Sequence, residues 1–326
     1  MCVSEPFVAL SFSSAWASQA VVVLVAMMQV TPAPSPGGIA DRVGRLTRGS
    51  TWTRVQSVPM SFKTYHPQGM VKIGAALFVS SVAVRVPTKR GVQADPRHDR
   101  DAGEGVGHLF KIDLSGRLIS DLTLGEGVIY HPGGIDFDGI HIWVPVAEYR
   151  PNSRSIIYRV DPTTMTAVEV LRVADHIGAI VHNTDDHTLH GVSWGSRRFY
   201  RWSLDRDGRV TDSESPLERS GMLNRSHYLD YQDCKYAGQG RMMCTGVTEF
   251  RATPGGEPFR LGGVDVIDLR DGRPLHQVPV QLWTGSGLDM THNPSWFETT
   301  AAGLRAYFMP EDDTSTLYVF EVETER

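Results

Sequence analysis

The chain has 326 residues, of which 41% are hydrophobic and 21% charged, with 32 glycines and 19 prolines. This composition is typical of a turn-rich β protein large enough to bury a core, and the modest charged fraction disfavours long surface helices. A net charge of −5 provides no basic footprint, so we expect no nucleic-acid partner. The sequence has no P-loop, no dinucleotide-binding glycine pattern and no Gly-x-Ser-x-Gly elbow, so we expect no nucleotide cofactor.

The first 50 residues are predicted to be a leader or signal-like segment and a linker. Residues 20–28 form an apolar run too short to span a membrane, and no Lys or Arg precedes it, although secretory signals normally begin with basic residues. Two interpretations stay open. A signal peptide would make the mature protein secreted or periplasmic, whereas translation from Met27 or Met28 would leave it in the cytoplasm. Nothing after residue 30 is apolar enough to span a membrane, so we expect no membrane span in the mature domain.

Residues 130–150, YHPGGIDFDGIHIWVPVAEYR, predict a β-hairpin with its first strand at 134–137 and its second at 141–146. The turn falls at Asp138 and Gly139, a pair that accepts the positive φ of a tight hairpin. Because antiparallel strands return to the same edge, His131 and Arg150 are expected to meet there, nineteen positions apart.

The nineteen-residue spacing recurs along the chain, which predicts internal repeats made of strands. The recurring pairs are His66 with Arg85, Gln232 with Arg251 and His292 with Glu311, and a copy that is three residues longer joins Asp175 to Arg197. Strand repeats at intervals of a few tens of residues favour a β-propeller. We therefore predict an all-β fold, a single propeller domain over residues 51–326 with five blades, six being the alternative, in a monomeric protein.

The last repeat lacks one strand, and a lone strand predicted at 51–62 supplies it. Pairing of that strand with the one at 315–322 would close the ring and remove the exposed sheet edges of an open array.

The first residues of the repeats are expected to converge at one mouth of the central channel, because the first strand of each blade lines it. Imidazole and carboxylate groups together suit one divalent transition metal ion. The alternative is that these side chains plug the channel and satisfy free backbone groups. The predicted metal ligands are His66, His131, Asp175 and His292, and the predicted catalytic residues are His131, His176, Glu148 and Asp233.

Four arginines end the second strands on the same face, and their guanidinium groups match carboxylate or phosphate. With Gln232 they are predicted to hold a small anionic molecule. The alternative is that they staple the blades by pairing with Asp or Glu. The arginines are Arg85, Arg150, Arg197 and Arg251.

Together these features predict a small-molecule enzyme with a His-rich, metal-binding site, most simply a hydrolase, lyase or isomerase acting on an anionic substrate. The alternative is a non-catalytic propeller that acts as a ligand-binding or interaction scaffold.

Two of the three cysteines, Cys234 and Cys244, are placed symmetrically about a turn at Gln239. Hairpin pairing would set them opposite each other, where they could form a disulfide in an oxidising compartment or stay as two buried thiols.

The chain resembles a family of functionally uncharacterised bacterial and fungal propeller-like proteins over roughly residues 60–322. The motifs that carry the resemblance are YHPGG-DFDG at 130–139, VAEYRP at 146–151, DHIG at 175–178, SWGSR at 193–197, DYQDC at 230–234 and NP at 293–294. This resemblance implies a propeller and no particular activity. More distantly the chain looks like gluconolactonase and strictosidine-synthase-like propellers, which usually have six blades and Glu, Asn and Asp metal ligands rather than histidines.

Overall fold

The computed structural model describes residue 1 and residues 38–91, 95–213 and 221–324. The apolar run at 20–28, with Met27 and Met28, lies outside the described residues, so the interpretations of the leader stay predictions. The chain divides into two compact units, Met1–Ser35 and Pro36–Arg326, and the second contains the propeller. Within the described ranges, no helix is long and apolar enough to cross a membrane.

Five antiparallel sheets form the blades of a β-propeller, which confirms the predicted all-β class and the preferred number of blades. Blade 1 contains β2 (His66–Ile73), β3 (Ala76–Val86), β4 (Glu104–Asp113) and β5 (Leu118–Leu124). Blade 2 contains β6 (Ile129–Pro132), β7 (Asp136–Phe137), β8 (Ile142–Glu148), β9 (Ser155–Asp161) and β10 (Thr166–Val173). Blade 3 contains β11 (Ile177–Asn183), β12 (Thr188–Ser193), a 3-10 turn (Trp194–Ser196), β13 (Arg198–Ser203) and β14 (Gly221–Leu223). Blade 4 contains β15 (Asp230–Gly238), β16 (Arg241–Arg251), β17 (Pro258–Asp268) and β18 (Pro274–Val280). Blade 5 contains β19 (Ser295–Thr299), β20 (Gly303–Phe308), β21 (Thr316–Glu323) and β1 (Trp52–Pro59).

Blade 5 joins the two ends of the propeller, as predicted. Strand β1 pairs antiparallel with β21, with Trp52 opposite Val322 and Pro59 opposite Thr316. The first strand of the domain therefore supplies the outermost strand of the last blade, and the predicted closure is confirmed.

The folded region begins earlier than the predicted start at residue 51. A short helix, α1 (Ile39–Val43), buries Ala40 and Val43 in a core cluster shared with blades 4 and 5. Arg42 donates from Nη1 to the carbonyl oxygen of Gly303 at 3.4 Å. The absence of helical periodicity in so short a segment hid this packing from the sequence prediction.

The first strand of blade 2 is split, whereas the sequence predicted one strand at 134–137. Between β6 and β7 the chain approaches blade 3, where the Gly134 amide donates to the Gly178 carbonyl at 2.8 Å. A Cβ atom at Gly134 would lie 2.8 Å from the Cα of Asp233, so only glycine fits this approach. The strand break thus follows from tight packing at the centre of the propeller.

Cys234 and Cys244 lie opposite each other on β15 and β16 and are joined by a disulfide. Their Cα atoms are 4.1 Å apart, which confirms the predicted juxtaposition. Of the two alternatives, the bridged form is the one present.

Candidate functional site

A cavity of about 430 Å³, which we call the mouth pocket, lies where the innermost strands of the blades begin. Its walls contain five of the residues predicted to converge there: His66, His131, His176, Gln232 and His292. The nineteen-residue repeat therefore located a real cavity, because equivalent positions of a propeller occupy equivalent places around its axis.

His131 forms the buried part of the wall of the mouth pocket. It is 5% exposed, and neither ring nitrogen has a hydrogen-bond partner among the described residues. Its ring stacks on Tyr149, with centroids 4.0 Å apart. Burial lowers the pKa of His131 well below its usual value, and the neighbouring histidines lower it further, so the ring stays neutral at pH 7. An unsatisfied imidazole in a cavity wall is available to hydrogen-bond whatever enters the cavity.

His176 is buried beside His131 with its orientation fixed. Its Nδ1 atom lies 2.8 Å from the backbone carbonyl oxygen of Glu148, which can only accept, so Nδ1 carries the proton. Burial lowers the pKa of His176 to about 4, which leaves the Nε2 lone pair free at neutral pH. The ring packs edge-on against Trp194, with centroids 4.7 Å apart. His176 therefore presents one proton-accepting nitrogen in a defined direction.

His66 lines the opposite side of His131, and both of its nitrogens are engaged. Nδ1 lies 2.8 Å from Oδ1 of Asp312, and Nε2 lies 2.8 Å from the side-chain amide of Gln68. The ring centroids of His66 and His176 each lie 6.1 Å from that of His131. His292 completes the set, with a pKa that burial lowers.

The predicted metal ligands do not close around one point. Among residues 38–91, 95–213 and 221–324, no group of three or more His, Cys, Asp or Glu side chains is arranged to hold a metal ion. Asp175 turns away from the pocket and accepts a hydrogen bond from the hydroxyl of Tyr200 at 2.8 Å. At the start of the third repeat, His176 rather than Asp175 lines the cavity.

Glu148, predicted to be catalytic, does not line the mouth pocket. Its side chain is 1% exposed and pairs with Arg150 at 2.5 Å and with Arg154 at 2.7 Å. The carboxylate is therefore committed to two guanidinium groups, and its contact with the site passes through its backbone carbonyl to His176.

Asp233, also predicted to be catalytic, is buried at the centre of the propeller. It pairs with Lys235 and accepts hydrogen bonds from the backbone amides of Met70 at 2.9 Å, Ile135 at 3.1 Å and Ser295 at 3.3 Å. These amides belong to blades 1, 2 and 5, so Asp233 ties inner strands together. Alternation along β15 turns Gln232 toward the cavity and Asp233 away from it.

The four predicted arginines do not form a collar around the mouth pocket. Arg150 pairs with Glu148, and Arg251 pairs with Glu249 at 2.6 Å. Arg197 contacts His227 at 2.6 Å and Asp230 at 3.4 Å. Arg197 joins blade 3 to blade 4, as the stapling alternative expects, whereas Arg150 and Arg251 each pair with a glutamate of their own blade. Arg85 lines a neighbouring cavity instead.

Several residues of the mouth pocket escaped the sequence prediction. Arg100 comes from the insertion between β3 and β4, where its guanidinium pairs with Asp99 at 2.8 Å and lies 5.0 Å from the ring of Trp194. Tyr149 and Trp194 follow the second strands of blades 2 and 3. The sequence did contain a signal for Tyr149 and Trp194, because each is an aromatic residue close to one of the arginines predicted at the same rim as the histidines.

Fold and site together define a five-bladed β-propeller with a histidine-lined cavity at one mouth of its channel. The chain belongs to the family of unknown function DUF6454, whose model matches residues 27–324. No curated protein matches the chain.

Solved structures with a similar architecture share little sequence with this chain. A luciferin-regenerating enzyme is 9% identical, with a TM-score of 0.43, and the match covers 85% of this chain and 98% of that one. The tail fiber of Staphylococcus aureus phage P68 is 11% identical with a TM-score of 0.45, covering 87% and 55%. The WD40 domain of Toxoplasma gondii coronin is 9% identical with a TM-score of 0.38, covering 86% and 88%. These likenesses concern architecture alone.

Proposed function

We propose that the mouth pocket is the active site of a small-molecule enzyme, most simply a hydrolase, lyase or isomerase. The observation that carries the proposal is His131, a buried imidazole in the cavity wall whose two nitrogens have no partner in the described part of the chain. Leaving such a group unsatisfied costs about 1–3 kcal/mol, so a bound molecule that hydrogen-bonds it recovers that free energy.

His176 is the proton acceptor in this proposal. Its Nδ1 proton is held by the Glu148 carbonyl, so Nε2 faces the cavity without a competing proton. Tyr149 and Trp194 supply apolar walls that exclude water, and a neutral base in such surroundings acts on a bound substrate without solvent exchange. His131 orients the substrate through a hydrogen bond, and Gln232 supplies an amide on the opposite wall.

The divalent transition metal is proposed as part of the same site. His131, His176 and His292 each have a ring nitrogen that could bind it without breaking a hydrogen bond, and His131 and His176 are proposed as the pair that does. Two imidazoles on one metal have ring centres up to roughly 6.5 Å apart, given a metal–nitrogen distance of about 2.1 Å, and these two centroids are 6.1 Å apart. The remaining ligands would come from substrate or water, and the metal would polarise a substrate oxygen.

The test uses the whole chain, incubated with a metabolite extract and followed by untargeted mass spectrometry. Wild type is expected to consume one small molecule and form a product. His131→Phe and His176→Phe keep a ring but remove the nitrogens, and each should lower the rate by about 100-fold or more. His190→Phe is the matched control, because His190 is 4% exposed, has a pKa that burial lowers to about 4, and lines a separate cavity.

Equal turnover by wild type and both pocket variants would overturn the proposal. Binding without turnover that the same variants abolish would support the non-catalytic alternative, a ligand-binding propeller. Thermal unfolding of each variant shows whether a lost activity reflects the site or the fold.

A further inference from the structure

A second cavity, which we call the side cavity, adjoins the mouth pocket. Its volume is about 540 Å³, and His66 and Tyr149 line both cavities. The two spaces are therefore separated by little more than one imidazole and one phenol ring. The rest of the side cavity comes from the segment before β2, the end of β3, the start of β4 and the loop before β21, and includes Lys63, Arg85, His108, Asp312 and Asp313.

The ionisable groups of the side cavity have hydrogen-bond or ion-pair partners, with one exception. Lys63 pairs with Asp313 at 3.2 Å, and Asp312 accepts from Nδ1 of His66 at 2.8 Å. Asn293 also donates to Asp312, at 3.0 Å. His108 lies 2.9 Å from Asp121.

Arg85 is the exception, because no hydrogen bond or ion pair engages its guanidinium anywhere in the described part of the chain. Its repeat equivalents Arg150 and Arg251 each pair with a glutamate two positions earlier. In the first repeat that position is Ala83, so Arg85 has no such partner. One guanidinium without a hydrogen-bond or ion-pair partner thus lines a cavity that adjoins the mouth pocket.

No unpaired positive charge lies among the described residues of the mouth pocket, whose carboxylate, Asp230, lies 3.4 Å from Arg197. Arg100 is paired with Asp99, and His131 and His176 are neutral at pH 7. A neutral polar group suits the mouth pocket, whereas a carboxylate or phosphate suits the guanidinium of Arg85.

We infer that the ligand is a bipartite molecule, with a neutral polar group in the mouth pocket and an anionic end held by Arg85 in the side cavity. This inference rests on the proposed function and specifies its substrate class. The ligand would pass beside His66 and Tyr149, the two residues common to both cavities.

The experiment compares ω-hydroxycarboxylates of increasing chain length, from hydroxyacetate to hydroxyoctanoate, with neutral diols of the same lengths. Binding is measured by ligand-observed NMR with the full chain. For wild type, one hydroxycarboxylate is expected to bind about tenfold or more tightly than its matched diol, the effect of one charge-assisted hydrogen bond. Arg85→Gln should remove this preference, and Arg251→Gln, at the equivalent position but paired with Glu249, should retain it.

The outcomes separate this inference from the proposed function. If diols and hydroxycarboxylates bind equally well and His131→Phe abolishes both, the role of Arg85 and the side cavity is wrong, while the mouth pocket remains the binding site. If the preference for carboxylates depends on Arg85 but persists in His131→Phe, the ligand does not occupy both cavities and the bipartite ligand is wrong. No binding at any chain length would also overturn the bipartite ligand.

Discussion

The Oδ2 atom of Asp289 lies 3.9 Å from Nδ1 of His292, and neither side-chain atom has a hydrogen-bond partner among the described residues. Asp289 is completely buried, and the positive charge of Arg260 acts to lower its pKa. A buried carboxylate without a partner is costly when ionised, and burial raises the pKa of Asp289 to about 6. Behind His292 there is therefore a carboxyl group that keeps its proton to a higher pH than an exposed aspartate does.

Asp289→Asn is expected to stabilise the protein at high pH. The pKa of Asp289 is about 6 when folded and 3.8 when unfolded, so the fold loses stability as pH rises from the unfolded to the folded pKa and is weakest above 6. At pH 8 the variant should be more stable by about 1–3 kcal/mol, and the difference should shrink by pH 5, where wild type is protonated. Chemical denaturation at several pH values measures this. Asp271→Asn, at an exposed turn, is the control, and an advantage independent of pH would contradict the expectation.

Titration with Co²⁺ tests whether His131 and His176 bind a metal ion. Full-length protein should bind Co²⁺ with an absorption band that His131→Phe and His176→Phe abolish and His190→Phe retains. Gln68→Ala should tighten binding by about tenfold, because it frees Nε2 of His66 as a third imidazole ligand. A band unaffected by the pocket variants would place any metal elsewhere.

Asp233 is expected to matter for folding rather than chemistry. Asp233→Asn leaves Lys235 buried without its counter-charge and weakens the hydrogen bonds to three blades, which should cost about 3–5 kcal/mol of unfolding free energy. The double variant with Lys235→Met should recover part of the loss, because the unpaired charge is gone. Asp271→Asn, at an exposed turn of the same blade, is the control for a local change. Loss of activity at unchanged stability would restore Asp233 as a catalytic candidate.

The disulfide should contribute measurably to stability. Replacing Cys234 and Cys244 by serine is expected to lower the unfolding free energy by about 2–3 kcal/mol, the value for a short closed loop. Alkylation of the denatured, unreduced wild type should label at most one thiol, Cys2, and reduction should expose two more. Labelling of all three before reduction would show that the cysteines are free.

The sequence predicted the features that recur in every blade and missed those that occur in a single insertion or loop. Spacing alone placed His66, His131 and His292 around one cavity and paired the strand at 51–62 with the strand at 315–322, because every blade repeats the same geometry. Insertions and loops have no equivalent in the other repeats, so Arg100 and the Asp312 that holds His66 gave no signal. Their contacts join residues far apart in sequence.

Alternation along strands was the harder inference. Asp175 and His176 are neighbours, as are Gln232 and Asp233, and in each pair one residue lines the cavity while the other faces away. A shift of one residue exchanges the two faces of a strand. The sequence could not assign these faces, because bulges in β11 and β15 shift the register beside both pairs.

The pairing of β1 with β21 has a consequence for how the chain folds as it is synthesised. Trp52 lies opposite Val322, so the partner of β1 leaves the ribosome 270 positions later (322 minus 52). Until then β1 has no neighbour in its blade, and closing so long a loop makes this pairing slow compared with the hairpins inside each blade. A chain that terminates before β21 would leave β1 without a sheet neighbour and β20 with one free edge, and would be prone to aggregation during translation.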